Sequence, residues 1–100
     1  MLAPIITNNI TQIKAICKEH KVKELYVFGS AARNEMKEDS DVDFSVDFEE
    51  INEKDFANNY FSLMEKFQKL FKRNVDFVTE KFLVNKYFIN DLNKNKVKLI

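Results

Sequence analysis

One glycine, one proline, one cysteine, one histidine and no tryptophan occur in 100 residues. The single cysteine, Cys17, cannot form an internal disulfide or a thiolate zinc cluster, and the lone His20 excludes a histidine-rich metal site. Any metal chemistry must therefore come from carboxylates. Charge of either sign is not in excess: 16 Lys+Arg face 16 Asp+Glu, so the formal net charge is zero. No strong, salt-driven hold on nucleic acid is expected from that balance, and no direct nucleic-acid partner. No apolar run approaches the roughly 20 residues that cross a bilayer, so no membrane partner is expected. The opening Met1-Leu2-Ala3-Pro4-Ile5-Ile6 lacks the basic flank of a secretory signal. These absences point to a cytoplasmic protein. With no Gly/Pro/Ser-rich linker and no internal repeat, residues 1–100 are expected to form a single domain. What is present suits that: 45% apolar residues, including ten Phe and three Tyr, are enough for one core.

Periodicity divides the chain into alternating elements. Ile10, Ile13, Cys17 and His20 recur at helical spacing after Pro4, with Thr7, Asn8 or Asn9 as caps. Leu25-Tyr26-Val27-Phe28 is a β-prone run ended by Gly29. Ser30 to about Glu35 suits a short helix. Asp41 to Phe48 alternates strictly, with Val42, Phe44, Val46 and Phe48 on one side and Asp41, Asp43, Ser45 and Asp47 on the other. Asn52 and Asp55 resemble a cap for a long helix through Phe56, Tyr60, Leu63, Met64, Phe67, Leu70 and Phe71. Residues 74–79 read as a third strand. Thr79 or Glu80 opens a last helix, and Val97 to Ile100 offers a short fourth strand. The order predicts an α/β (α+β) fold, a small mixed sheet of three or four strands packed with about four helices.

Chemistry concentrates at three places. Gly29 ends the first strand and is followed by Ser30 and a helical start, where free N–H groups, a hydroxyl and a close backbone approach suit a phosphate. A lone glycine at a strand end is more often only a turn. Asp41 and Asp43, two apart on a strand, project from one face, and hard divalent ions such as Mg²⁺ take oxygen ligands of that kind. Acidic residues on a strand are also ordinary on a solvated face, and Ser45 and Asp47 fit that plainer account. Asp76 interrupts the apolar run Val75-Asp76-Phe77-Val78. An acid there is costly to bury unless it is paired or metal-bound, or else it faces water from an edge strand. If the second and third strands are neighbours, Asp76 joins Asp41 and Asp43 in one cluster.

Phe28-Gly29-Ser30, ten residues, then Asp41-Val42-Asp43 resembles the signature of the DNA polymerase β-like nucleotidyltransferase superfamily. With four Ser and seven Asp in the chain, chance supplies that conjunction after a given glycine roughly once in 5,000. The flanking text, Gly29-Ser30-Ala31-Ala32-Arg33-Asn34-Glu35 and Asp39-Ser40-Asp41-Val42-Asp43-Phe44, is similar to the minimal nucleotidyltransferases called MNT domains, antitoxins often paired with HEPN-domain ribonuclease toxins. The resemblance spans about residues 23–79. It implies that Gly29 and Ser30 hold the β- and γ-phosphates of a nucleoside triphosphate. It implies that Asp41 and Asp43 bind Mg²⁺, and that Asp76 completes the metal site and helps deprotonate the acceptor. Arg33 matches an arginine usual in the motif, for which a phosphate contact and an ion pair with Glu35 are both open. Ala31 replaces a larger, often basic residue, and Asn34 replaces glycine. Asn tolerates a left-handed backbone better than most residues.

By the same resemblance, the expected activity is transfer of AMP from ATP to a hydroxyl, tyrosine by preference, on a HEPN-type toxin in a hetero-oligomer. The alternatives are a non-catalytic antitoxin that masks its toxin and, behind both, a small-molecule nucleotidyltransferase. Other features read as structure. The stripe Phe56, Tyr60, Leu63, Phe67 and Leu70 is expected in the core, and Cys17 and His20 are expected to pack. Phe61, Phe71, Tyr87 and Phe88 exceed what one helix face can bury, leaving either packing or a partner surface. Lys94, Lys96 and Lys98 form a solvated end or a dock for an acidic partner or RNA bound to it, and Lys69, Lys72 and Arg73 are equally open.

Overall fold

A computed structural model describes residues 1–100. The elements in chain order are α1 (Pro4–Thr7), α2 (Ile10–Glu19), β1 (Val22–Phe28), α3 (Gly29–Arg33), β2 (Val42–Phe48), α4 (Glu53–Phe71), β3 (Val75–Val78), a 3₁₀ turn (Glu80–Phe82), α5 (Lys86–Asn95) and β4 (Val97–Lys98). The four strands form one mixed sheet in the order β3-β2-β1-β4. β1 is antiparallel to both β2 and β4, and β2 is parallel to β3. A parallel neighbour requires a long crossover, which the 19-residue α4 supplies. The mixed α/β architecture is the expected one.

The alternation in β2 sorts the two faces of the sheet. Val42, Phe44 and Val46 are fully buried with Leu25 and Val27 of β1, which lie opposite Val46 and Phe44 in register. Phe44 is the centre of an aromatic cluster, its ring 5.1 Å from Phe67, 5.8 Å from Phe71 and 6.0 Å from Phe77. Leu63, Phe67 and Phe71 recur at helical spacing and bring the buried stripe of α4 onto this face. α2 closes the remainder with Ile13 and Cys17. Burying a side chain the size of Phe contributes about 1.5–3 kcal/mol, so this one face carries most of the stability.

His20 caps α2 and, as expected, packs. Its Nδ1 donates to the Ile16 carbonyl at 2.7 Å and its Nε2 is bonded to the Ser62 hydroxyl at 2.9 Å, tying α2 to α4. Several expectations need correction. α1 has no counterpart among the expected elements; it is one short turn that starts at Pro4, and the Ala3 amide before it donates to the Ala31 carbonyl at 2.8 Å. The last helix does not begin at Thr79 or Glu80: a 3₁₀ turn comes first, the chain extends through Leu83, and Asn85 then caps α5 by accepting from the amides of Tyr87 and Phe88. Asn52 does precede α4, but its carbonyl rather than its side chain engages the first turn. Of the aromatics beyond one helix face, Phe71 is core and Phe88 packs on Phe28, while Phe61 and Tyr87 stay exposed. No helix is long and apolar enough to cross a membrane.

Candidate active site

Everything the apolar alternation excludes from the core of β2 emerges on the opposite face of the sheet. Asp43 lies there directly across from Phe28 of β1 and is the register partner of Asp76 on β3. The two carboxylates thus come from adjacent parallel strands and share a side. Asp41 precedes β2 by one residue and is exposed, as is Asp76, whereas Asp43 is half-buried. Of the two openings left for Asp76, β3 is indeed the edge strand, and its acid does face water.

The Asp43 carboxyl is pushed up from 3.8 to about 6, first by burial, then by the negative charge of Asp76 and of Asp41. The negative charges of Asp76 and Asp41 thus favour the protonated form of Asp43, a penalty that a cation between them relieves. As the chain stands, however, no three acidic, histidine or cysteine side chains converge closely enough to enclose an ion. The expected single cluster of Asp41, Asp43 and Asp76 is therefore loose: Asp43 and Asp76 are aligned by the ladder, and Asp41 lies one residue ahead of it. Mg²⁺ fits such a donor set: it is commonly held by one or two carboxylates plus substrate phosphate oxygens rather than by an all-protein cage.

Gly29 closes the site from the side of β1. Its φ of +68° is a conformation that L side chains rarely adopt, and a methyl group built there would lie 2.5 Å from Asp43 Oδ2. The backbone at the β1–α3 corner thus approaches the central carboxylate as closely as only glycine allows. The opening amides of a helix have no partner within it, so those of Gly29 and Ser30 are available as donors at this corner. α3 is only five residues long, so these donors matter more than any helix dipole. Asn34 follows in the left-handed region, φ 57° and ψ 44°, the conformation its glycine-like role requires. Ala31 is fully buried beneath α1, so that position serves packing instead of charge. Arg33 Nε pairs with Glu35 Oε2 at 3.2 Å, both side chains largely in water.

Residues 10–99 match the nucleotidyltransferase domain family. The chain belongs to that family. A provisionally named protein adenylyltransferase of Methanocaldococcus jannaschii is 33% identical over 96 residues, 88% of this chain and 95% of the relative. Protein adenylyltransferase MntA of Thermococcus cleftensis is 39% identical over 82 residues, 74% of this chain and 80% of that protein. A solved structure provisionally described as a minimal nucleotidyltransferase superposes with a TM-score of 0.78 at 27% identity, covering 97% of this chain and 95% of its own. More distant solved complexes share the fold. One is a toxin–antitoxin with AMP-PNP (TM-score 0.71, 18% identity, 92% and 73% coverage). Another is a tri-AMPylated Shewanella oneidensis HEPN toxin with its MNT antitoxin (0.64, 16%, 94% and 71%). The chain is a nucleotidyltransferase.

The nucleotidyltransferase face also carries a network that strand alternation does not suggest. Ser45, expected in solvent, is buried and donates to Glu80 Oε2 at 2.6 Å. Glu80 in turn takes both of its oxygens to Lys96 Nζ, at 3.0 and 3.2 Å, and that ammonium lies 4.3 Å from the centre of the Tyr26 ring. Burial raises the Glu80 carboxyl, but the hydrogen bonds from Ser45 and Lys96 and the charge of Lys96 outweigh it and hold the group below its usual range. The period-two pattern does place Ser45 beside Asp43. What it lacks is any sign that the 3₁₀ turn and Lys96 fold over that part of the strand.

Proposed function

We propose that this nucleotidyltransferase is a protein adenylyltransferase: it transfers AMP from ATP to a hydroxyl, by preference a tyrosine, of a HEPN-type ribonuclease toxin and so acts as its antitoxin. The names of the relatives support the activity, and the complexes that share the fold support the partner. The observation that carries the reading is the close approach of Gly29 to Asp43, whose register partner is Asp76. It supports a backbone corner open to a triphosphate beside acids that would share its metal ion.

In this reading residues 1–100 act as one minimal cytoplasmic domain, and the acceptor comes from the partner in a hetero-oligomer. Gly29 and Ser30 hold the β- and γ-phosphates, with Arg33 beside them. Asp41 and Asp43 hold Mg²⁺, and Asp76 completes the set. An ion held by these residues would supply neutralisation of the triphosphate's charge. The remaining work belongs to the chain. The partner's hydroxyl oxygen bonds to the α-phosphorus as the bond to the pyrophosphate oxygen breaks, and Asp76 accepts the hydroxyl proton. Alignment and charge stabilisation supply the rate, as in phosphoryl transfer generally.

A second reading, masking of the toxin without chemistry, is favoured by the looseness of the acid cluster. One experiment separates the two: the protein is incubated with the product of the adjacent gene, ATP and Mg²⁺, and the partner is weighed by mass spectrometry. The expected result is a gain of one or more AMP units, abolished by Asp41→Ala or Asp43→Ala. An unmodified partner whose toxicity is still neutralised by those variants establishes masking.

A further inference from the structure

The loop that delivers Asp41 is tied down from an unexpected direction. α4 ends at Phe71, and Lys72, left-handed with φ 56°, turns the chain back sharply. Arg73 is thereby aimed at the segment between α3 and β2. Its Nη1 donates to two carbonyls there, Lys37 O at 2.8 Å and Ser40 O at 2.9 Å. The same turn is closed internally by the Lys37 amide on Ser40 Oγ at 2.8 Å and the Ser40 amide on Lys37 O at 3.1 Å. Two residues after Ser40, the Val42 amide donates to Asn74 O at 3.0 Å. Asp41 is thus bracketed: the carbonyl before it is held by Arg73 and the amide after it by Asn74.

Those two residues lead directly into Val75 and Asp76 of β3. The bracket therefore fastens the Asp41 loop to the root of the strand that carries Asp76. The cavity of about 510 Å³ beside the loop is lined wholly by polar side chains, so between Met36 and Val42, which pack on the core, the loop is held by these hydrogen bonds. Asp41 is also the one acid of the three outside the β2–β3 ladder, and so the one whose position depends on them.

We propose that Arg73 is a positioning residue for nucleotidyl transfer, holding Asp41 in reach of the ion that Asp43 and Asp76 share. The inference rests on the proposed metal-holding role of those acids. Partners of this outer kind commonly change metal affinity 10–100-fold when removed.

The test measures Mn²⁺ binding by electron paramagnetic resonance in the presence of AMP-PNP, for wild type, Arg73→Ala and Arg73→Lys, with amide hydrogen exchange on the same samples. Arg73→Ala should weaken Mn²⁺ binding about tenfold and speed exchange at residues 37–42, with the exchange of α4 and β1 unchanged. Arg73→Lys, with a donor at nearly the same reach, should recover part of the affinity. Millimolar guanidinium should restore Arg73→Ala and leave wild type unaffected, which a general loss of stability would not do. Wild-type affinity in Arg73→Ala, or no response to guanidinium, overturns the proposal. A wild-type protein that binds no Mn²⁺ removes the metal reading itself and this inference with it.

Discussion

The two faces of β2 are one residue apart and obey opposite rules. Val42, Phe44 and Val46 are fully buried in a ring of aromatic and aliphatic side chains with no polar group to satisfy. Asp43, Ser45 and Asp47 alternate with them, and each needs a partner for its charge or hydroxyl. Ser45 has found one in Glu80. Asp43 has found only like charges, Asp76 and Asp41, and a glycine backbone pressed against it. The strand is anchored by its apolar side, and that anchorage lets the other side hold an arrangement that costs stability. Natural proteins break the rules of local consistency where function requires it.

The largest effect that tests this contrast comes from neighbouring substitutions. Phe44→Ala removes the centre of the aromatic cluster and should cost about 3–5 kcal/mol, a large part of a small domain's total. Asp43→Asn should have the opposite sign. Its folded carboxyl titrates at about 6 against an ordinary 3.8. The raised value means that the penalty is absent below 3.8, grows as pH rises through 6 and is complete above it. In metal-free protein at neutral pH, Asp43→Asn should therefore stabilise by about 1 kcal/mol, a figure reduced for solvent screening at a half-open site. It should also erase transfer activity. Urea unfolding between pH 4 and 8 reads both variants; an Asp43→Asn protein no more stable than wild type at pH 7 breaks the contrast.

That contrast is largely legible in residues 41–48, because period-two alternation is a local property of the chain. Gly29-Ser30 and the acids are legible for the same reason, as is the glycine-like backbone of Asn34. The unforeseen part is what folds onto the polar face from far away in sequence. Ser45 meets Glu80 35 residues on, and Glu80 meets Lys96 a further 16 on. No spacing rule links them. The run from Glu80 to Tyr87 reads as one helix because its residue types suit one, but Asn85 restarts the helix at its own cap. The openness of the three-acid cluster is hidden as well, since alternation assigns a side of the strand but not where the ladder begins.

A smaller effect sharpens the comparison within the polar face itself. Glu80 is held below its ordinary 4.5, the reverse of Asp43. Its contribution is present above 4.5 and is lost as pH falls through the depressed folded value. Two carboxylates on one face should therefore give slopes of opposite sign on the acid side of neutrality. Glu80→Gln should cost about 1 kcal/mol at pH 7 and remove the loss of stability at the acid end, since the amide keeps an acceptor for Ser45 but no charge for Lys96. Unfolding of Glu80→Gln that tracks wild type from pH 3 to 7 would show that the network adds nothing.

The smallest effect on stability concerns Arg33, for which the motif allows two roles. It pairs with Glu35 at 3.2 Å, but the two side chains are 43% and 63% exposed. Exposed pairs of this kind contribute about 0–1 kcal/mol, so neither Arg33→Gln nor Glu35→Gln should change the midpoint of unfolding noticeably. Their effects on nucleotide binding should diverge. If Arg33 serves the triphosphate, the ion pair is a resting place that the nucleotide must displace. Arg33→Gln then raises the KM for ATP several-fold with kcat retained, while Glu35→Gln lowers it, because the guanidinium no longer has to leave a carboxylate. Equal KM values in both variants and wild type would assign Arg33 to the surface pair alone and leave the phosphates to Gly29 and Ser30.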